Sequence, residues 1–576
     1  MDRRWWLGVQ KRLRRAPATV ERLETASLVN PLERFLTLFV LERQFAVTLF
    51  RGVRNSRILA PLRFVLTAKM RAVLAALTLG IANTASALLA ARDAGSTACT
   101  DLTTQLGTTE VATSIKIDYI QSKNEYFNTA QSGYNPSCVV FPTTTQDVAA
   151  ILKSVRAAGS RFAIKTEGHN PNTFFSSVDK GVLIDLTEMN ERTYDETTTL
   201  GTYQPGGKFG DIYDYFAKYN RTVVGARLSG VGSGLALGGG LSYLSSQYGL
   251  AVDSFRELEV VLPSGDIVTA SPSENEDLFF AMRGGGGNAY GVVTKYKIQT
   301  RPIGNLYAGN VIYLFNQTQN VMNAIANFTL YNENPKAAII GTYEKLGTPA
   351  LGYLNLDDFA ILFMVYDGDQ AGAEKAFANF TSIPHLLNTL STKTYKEVIN
   401  MPLPNGAELS KGKNQFRNGV YRIPFPGSET GNTVVDNAYR SAHEAWTKWG
   451  ADNKGKYTLL SIDYQPIPKS LTDASKSQNG GNAMQMPDGP WLWLCFLLQS
   501  SPFLTSGQTV ELEASFKKMV ESVPFADDLP LFINDAHYDQ DPLKTFTTYS
   551  KLQEIKAKYD PEGFFSNYTG GWNFDL

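Results

Sequence analysis

Three segments of this chain combine glycine with short polar side chains. They are Lys165-Thr-Glu-Gly-His-Asn-Pro-Asn172 followed by Ser176 and Ser177, Gly230-Val-Gly-Ser-Gly-Leu-Ala-Leu-Gly-Gly-Gly240, and Arg283-Gly-Gly-Gly-Gly-Asn-Ala-Tyr-Gly-Val-Val-Thr294. Glycine allows positive φ and lets backbone approach a ligand closely. Successive exposed N–H groups then form a concavity that binds anions without lysine. Taken singly, each segment reads as a tight turn. Gathered between Lys165 and Thr294, they suit a shared ligand, and a pyrophosphate is the obvious one. Gly284–Ala289 fits a relaxed G-x-G-x-x-A but follows a predicted helix, not a strand, which argues against a nicotinamide-binding Rossmann unit. A phosphate-loop motif is absent from the sequence.

The chain has four histidines, His169, His385, His443 and His537. A lone histidine is ordinarily a surface or core residue. His169 differs because it sits in a polar turn directly after a predicted strand, flanked by Gly168 and Asn170. A nucleophilic imidazole there could reach a ligand lying on the loop. With no H-x-x-x-H pair and no Cys/His cluster, no metal site is expected.

The elements that must position these residues alternate from Pro142 onward. Thr143, Thr144 and Thr145 offer N-caps to a helix whose apolar face is Val148, Ile151, Leu152 and Val155, and Gly159 ends it. Strands are predicted over 161–165 and 182–186, a helix over 209–219, and strands over 257–262 and 267–270 joined at Ser264-Gly265. A helix over 274–282 and a strand over 291–298 follow, and Pro302 with Gly304 marks a break. Beyond it, helices over 434–449 and 510–523 alternate with strands over 359–365 and 459–464, as in a mainly antiparallel sheet with helices on one side. A helix over 545–559 stops at Asp560-Pro561-Glu562-Gly563.

A chain of 576 residues with 43% hydrophobic content can bury cores for two domains. Its net charge of -1 gives no global field for nucleic acid or an acidic membrane. Residues 1–69 are arginine-rich and read as a basic extension wrongly joined to the gene model. Met70-Arg71 then opens an apolar run ending in Ala85-Ser86-Ala87, the small-x-small pattern of a secretory signal over 70–87. A mitochondrial presequence is opposed by Glu21, Glu24, Glu33 and Glu42. An uncleaved anchor over about 72–91 is barely long enough to span. After cleavage no membrane association is expected. Five N-x-Ser/Thr sequons follow, at Asn220, Asn316, Asn327, Asn379 and Asn567. Cys99 and Cys138 could close a loop in an oxidising compartment, whereas Cys495, in an apolar strand, reads as a free core thiol.

The three loops, in this order, resemble the FAD-linked oxidoreductases of the vanillyl-alcohol-oxidase type, with an FAD-binding PCMH-type domain. The closest branch is that of berberine-bridge-like and fungal secreted proteins. Lys558-Tyr-Asp-Pro-Glu-Gly-Phe-Phe565 extends the likeness to the C-terminus. The resemblance implies a two-domain α+β fold: an FAD-binding domain over 88–300, an inserted antiparallel-sheet substrate domain over 301–530, and a return segment over 531–576. It implies FAD, with Thr166, Glu167, Gly168 and Asn170 in the first pyrophosphate loop, supported by Ser176 and Ser177. His169 would carry the covalent flavin. The second loop would be Gly230, Gly232, Ser233 and Gly234. Asp253 matches a further family motif, and Gly291, Val292 and Val293 would meet adenine. The family places glycine where this chain has Glu167. Bicovalent members have cysteine where it has Ala226, so a single flavin bond is implied. Cys99 and Cys138 match the family's N-terminal disulfide.

The family's general base comes from the substrate-domain sheet, often as a tyrosine or carboxylate. Tyr464 is the candidate, with a packing tyrosine as the alternative. Asp463 is expected on the opposite face of that strand. Ser229, a small residue by the second loop, matches a position that leaves room for oxygen in related oxidases. The implied reaction is two-electron oxidation of an alcohol, sugar or secondary-metabolite CH–OH or CH–NH group, with electrons passing through FAD to dioxygen. Two alternatives stand. One is an oligosaccharide oxidase with a groove lined by Trp491, Trp493 and Tyr464, although core packing explains the tryptophans equally well. The other is a secreted flavin-binding glycoprotein without turnover. The sequence sets neither the substrate nor the oligomeric state.

Overall fold

The structure is a computed structural model that describes residues 94–347, 358–401, 411–423, 437–478, 481–572 and 574. The basic extension over 1–69 and the leader over 70–87 lie outside the described residues. Among the described residues, no helix is long and apolar enough to cross a membrane.

The N-terminal part is built on two small sheets. In the first, Cys138–Val140 and Phe162–Lys165 flank Val182–Asp185 in parallel, and Val111–Ala112 adds an antiparallel edge. The crossover between the parallel strands is the helix Thr145–Ala158. Thr144 and Asp147 close a capping box at its start, and Gly159 ends it in the left-handed region at φ 62. Cys99 and Cys138 form a disulfide that ties the preceding helix to this sheet. The second sheet is antiparallel, in the order Arg192–Asp195, Leu200–Tyr203, Val292–Gln299, Phe255–Val261, Ile267–Ala270.

From Leu306 to Ser500 the chain forms an eight-stranded antiparallel sheet. Its centre is Ala337–Leu346 beside Tyr457–Ile467 and then Trp491–Ser500. Strand alternation divides its side chains between two environments. Tyr343, Ile462, Tyr464, Leu494 and Phe496 pack with Ile325, Trp446 and Phe516 of the covering helices. The side chains between them on each strand face the other way, toward the N-terminal part.

The C-terminus returns to that part. In the helix Tyr549–Tyr559, Lys558 pairs with Asp277 and the Tyr559 hydroxyl donates to the same carboxylate at 2.8 Å. Buried Asp560 accepts from the backbone N–H groups of Phe564 and Phe565 at 2.8 and 2.9 Å.

Candidate active site

The strand Phe162–Lys165 delivers the turn that carries His169. Beneath it, fully buried Lys165 pairs with Asp185 at 3.0 Å, and Ser122 donates to the same carboxylate. Gly168 has φ +65, and an added Cβ would lie 2.6 Å from the Glu125 carbonyl oxygen and 2.8 Å from Tyr126 Cδ1. Only glycine meets both demands. The turn is held by side chains as well: Gln131 Nε2 donates to the Asn170 carbonyl at 2.7 Å and Asn128 Nδ2 to that of Pro171 at 2.6 Å.

Glu167 is accommodated where the family has glycine, because the left-handed step falls on Gly168 and not on Glu167. Its carboxylate stands 3.6 Å from the Lys208 ammonium. An added Cβ on Gly232 would meet Thr166 Oγ1 at 2.4 Å and Glu167 Cβ at 3.1 Å, so the first two glycine segments pack against each other.

These segments line one side of a cavity of about 350 Å³. Thr166, Gly168, His169, Asn170 and Ser176 reach it from the first loop, and Gly232 and Gly234 from the second. Gly291, Val292 and Val293 reach it from the second sheet, joined by Gly286 and Gly287. Five expected cofactor residues do not line the cavity. Ser177 accepts from the Phe174 N–H at 3.2 Å, and Ser233 turns its hydroxyl to the Pro205 carbonyl at 2.6 Å. Glu167 points to Lys208, and Gly230 lies outside the wall. Asp253 is buried in a structural network, accepting from Leu250 N–H at 2.8 Å and Asn482 Nδ2 at 2.9 Å. Burial pushes its carboxyl up to about 6.

The residues present fit an FAD. An added Cβ on Gly234 or Gly287 would meet only one protein atom, at 3.8 and 3.9 Å, so space beside the backbone is left for a ligand. Among the described residues, Arg227 is the single Lys or Arg on the wall, so a diphosphate there would be met by main-chain N–H groups. His169 stacks on Phe127, with centroids 4.5 Å apart and planes 6° apart. Burial lowers the His169 imidazole to about 4, which keeps it neutral and nucleophilic at physiological pH.

The opposite wall is the eight-stranded sheet. Thr342 and Glu344 reach the cavity from one strand and Ser461, Asp463 and Gln465 from the next. Thr342 stands opposite Asp463, and Asp463 opposite Cys495. Burial pushes the Asp463 carboxyl up to about 7, with Asp535 adding to the rise and Thr342 and Arg227 opposing it. Burial and then the Asp463 charge push Glu344 up to about 8. A relay of hydrogen bonds runs from Arg227 to Gln465 at 2.6 Å and from Gln465 to Asp535 at 2.7 Å.

Tyr464 is not in the cavity. It faces the helical layer, fully buried, with its hydroxyl 3.4 Å from His443 Nδ1. Of these two neighbours on the strand, it is the Asp463 carboxylate that reaches the cavity. Ser229 also lies outside the wall, donating to Asn400 Oδ1 at 2.6 Å. The tryptophans expected in a carbohydrate groove pack in the interior: Trp493 stacks on Phe532 at 4.5 Å and donates to the Pro530 carbonyl at 2.8 Å, with Trp491 against it.

Residues 136–271 match the model of the FAD binding domain, and residues 547–570 that of the berberine and berberine-like segment. An uncharacterised FAD-linked oxidoreductase of Arthroderma benhamiae is 32% identical over 476 residues, which cover 79% of this chain and 90% of that protein. The chain belongs to the FAD-linked oxidoreductases. An FAD-dependent monooxygenase of Penicillium terrestre is 29% identical over 472 residues, 77% of this chain and 86% of that protein. Berberine bridge enzyme from Eschscholzia californica has the same fold, with a TM-score of 0.67 at 14% identity over 83% of this chain and all of that one.

In this oxidoreductase, whose cofactor is FAD, several wall residues escaped the sequence reading. Glu344 had a signal: it is an acid within the apolar strand Ala337–Leu346, in phase with Thr342 and Ile340. Arg227 and Asp535 on the wall, and Phe127 against His169, carried none, because their roles arise from contacts distant in sequence.

Proposed function

We propose that this FAD-linked oxidoreductase is secreted and oxidises a compact, largely apolar small molecule at a CH–OH or CH–NH carbon. Asp463 serves as general base, and dioxygen is the final acceptor. The observation that carries this reading is the Asp463 carboxylate, presented with Glu344 on the cavity wall facing the glycine loops. Bound FAD supplies the two-electron acceptor for the hydride leaving the substrate carbon. His169 tethers it, the amides of the first two glycine segments meet its diphosphate, and Val292 and Val293 meet its adenine. Asp463 takes the proton from the substrate O–H or N–H. Glu344, held protonated by burial, offers a hydrogen bond to a substrate heteroatom. Ile340, Phe363 and Phe416 supply apolar walls.

Dioxygen is supported by the monooxygenase name of the Penicillium relative. Secretion is supported by the Cys99–Cys138 disulfide and by the sequons. Asn220, Asn316, Asn379 and Asn567 are exposed, and Asn327 is half-buried. Oxygen uptake with a panel of apolar secondary alcohols and cyclic amines tests the reading. Asp463→Asn should lower kcat/KM for any substrate found by about 10²–10⁴-fold with FAD content unchanged. An Asp463→Asn enzyme as active as its parent would remove Asp463 from the chemistry.

A further inference from the structure

His169 does not stand free on its turn. Its ring lies parallel to that of Phe127, centroids 4.5 Å apart and planes 6° apart. Phe127 also meets Phe416, which lines the cavity, with centroids 5.7 Å apart and planes 59° apart. Phe127 is itself held from both sides by its main chain. Its N–H donates to the Gly168 carbonyl at 3.0 Å, within the turn that bears the histidine. Its carbonyl accepts from the Gly412 N–H at 3.2 Å and from Asn414 Nδ2 at 3.0 Å, at the start of the strand Lys413–Arg422. Phe127 is therefore buried and fixed at the junction of the His169 turn and the eight-stranded sheet.

We infer that Phe127 is the positioning residue for flavin attachment: by stacking, it fixes the plane of the His169 imidazole so that a ring nitrogen is aimed at the flavin methyl group. This rests on the reading of His169 as the tether. Attachment exchanges one C–H bond of that methyl group for a C–N bond to His169. The proton is lost to solvent, and the electron pair left on the flavin ring is removed by dioxygen. Bond formation of this kind is steep in orientation, because a nitrogen lone pair must point along the forming bond. A histidine side chain has two rotatable torsions, and here the only ring–ring contact that fixes them among the described residues is Phe127. The main-chain hydrogen bonds of Phe127 survive any side-chain change, so the turn and the ring stack can be separated by mutation.

The test is the fraction of flavin that stays with the protein after acid precipitation, compared with total bound flavin from absorbance beforehand. The unsubstituted protein should give a yellow pellet with the flavin on the His169 peptide. Phe127→Ala should bind FAD yet leave most of it in the supernatant, with attachment slowed by about tenfold to a hundredfold. Phe127→Tyr, which keeps the ring, should restore the yellow pellet. If Phe127→Ala does not fold, Phe127→Leu keeps most of the volume without a stacking face and should show the same loss. Attachment as complete in the folded Ala or Leu variant as in the parent overturns the inference while leaving the tether intact. A colourless pellet from the unsubstituted protein overturns the tether reading and the inference with it.

Discussion

Asp463 and Tyr464 are neighbours on the strand Tyr457–Ile467 and stand on opposite faces of the eight-stranded sheet. The carboxylate lines the cavity, and the phenol is sealed among Tyr343, Tyr439 and His443. Tyr464→Phe removes only the 3.4 Å contact to His443 Nδ1. It should cost about 1 kcal/mol of stability or less and leave kcat and KM within about twofold of the parent, since it touches nothing in the cavity. Steady-state kinetics beside a melting curve decide this. A hundredfold loss in kcat with an unchanged melt would place the phenol back in the chemistry.

Asp463 must be ionised to accept a proton, and burial pushes it up to about 7. Activity should therefore rise with pH through a limb near that value. Because Asp535 contributes to the rise, Asp535→Asn should move the limb to lower pH. Arg227 opposes the rise, so Arg227→Gln should move the limb to higher pH. The midpoint belongs to the coupled Asp463 and Glu344 pair and not to one residue alone. The pH dependence of kcat/KM checks both directions, and a flat profile between pH 5 and 9 would count against a carboxylate base.

The glycine segments, the capped helix Thr145–Ala158 and the position of His169 were legible in the sequence because local chemistry dictates them. Positive φ demands glycine, an N-terminal Thr with Asp three residues on demands a helix start, and an acceptor loop demands short side chains. The cavity wall on the large sheet was less legible. Period-two alternation says that Asp463 and Tyr464 part company, but it does not say which face meets helices and which meets the ligand. That is settled by the order of strands from distant parts of the chain. The same holds for Asp253, a polar residue in a matching motif whose carboxylate is consumed by Leu250 and Asn482. Spacing alone cannot separate a ligand contact from a structural one.

Glu344 should make the protein less stable as pH rises. Its carboxyl ionises near the usual 4.3 when unfolded but only at about 8 when folded. Between those values the folded state holds a proton that the unfolded state has released, so stability falls with rising pH across that window. Glu344→Gln removes the penalty. Its melting temperature should match the parent near pH 4 and exceed it by several degrees at pH 8, at about 1 °C per kcal/mol for a chain of this size, because the entropy of unfolding grows with length. A difference in melting temperature that stays constant with pH would show that Glu344 ionises normally.

Gly168→Ala should disable cofactor retention without unfolding the protein. Position 168 has φ +65, which costs an alanine about 1–2 kcal/mol. The added methyl would also sit 2.6 Å from the Glu125 carbonyl oxygen, a backbone atom that cannot swing aside. The turn must therefore shift, and the Phe127 N–H that donates to the Gly168 carbonyl at 3.0 Å shifts with it. The expected result is a stably folded protein with reduced flavin content after gel filtration and little attached flavin. A Gly232→Ala control tests the same principle at the second loop, where φ is not in the left-handed region and the obstruction at 2.4 Å is the Thr166 hydroxyl rather than backbone. Gly168→Ala should be the more damaging of the two. If the order reverses, the second loop rather than the His169 turn sets cofactor binding.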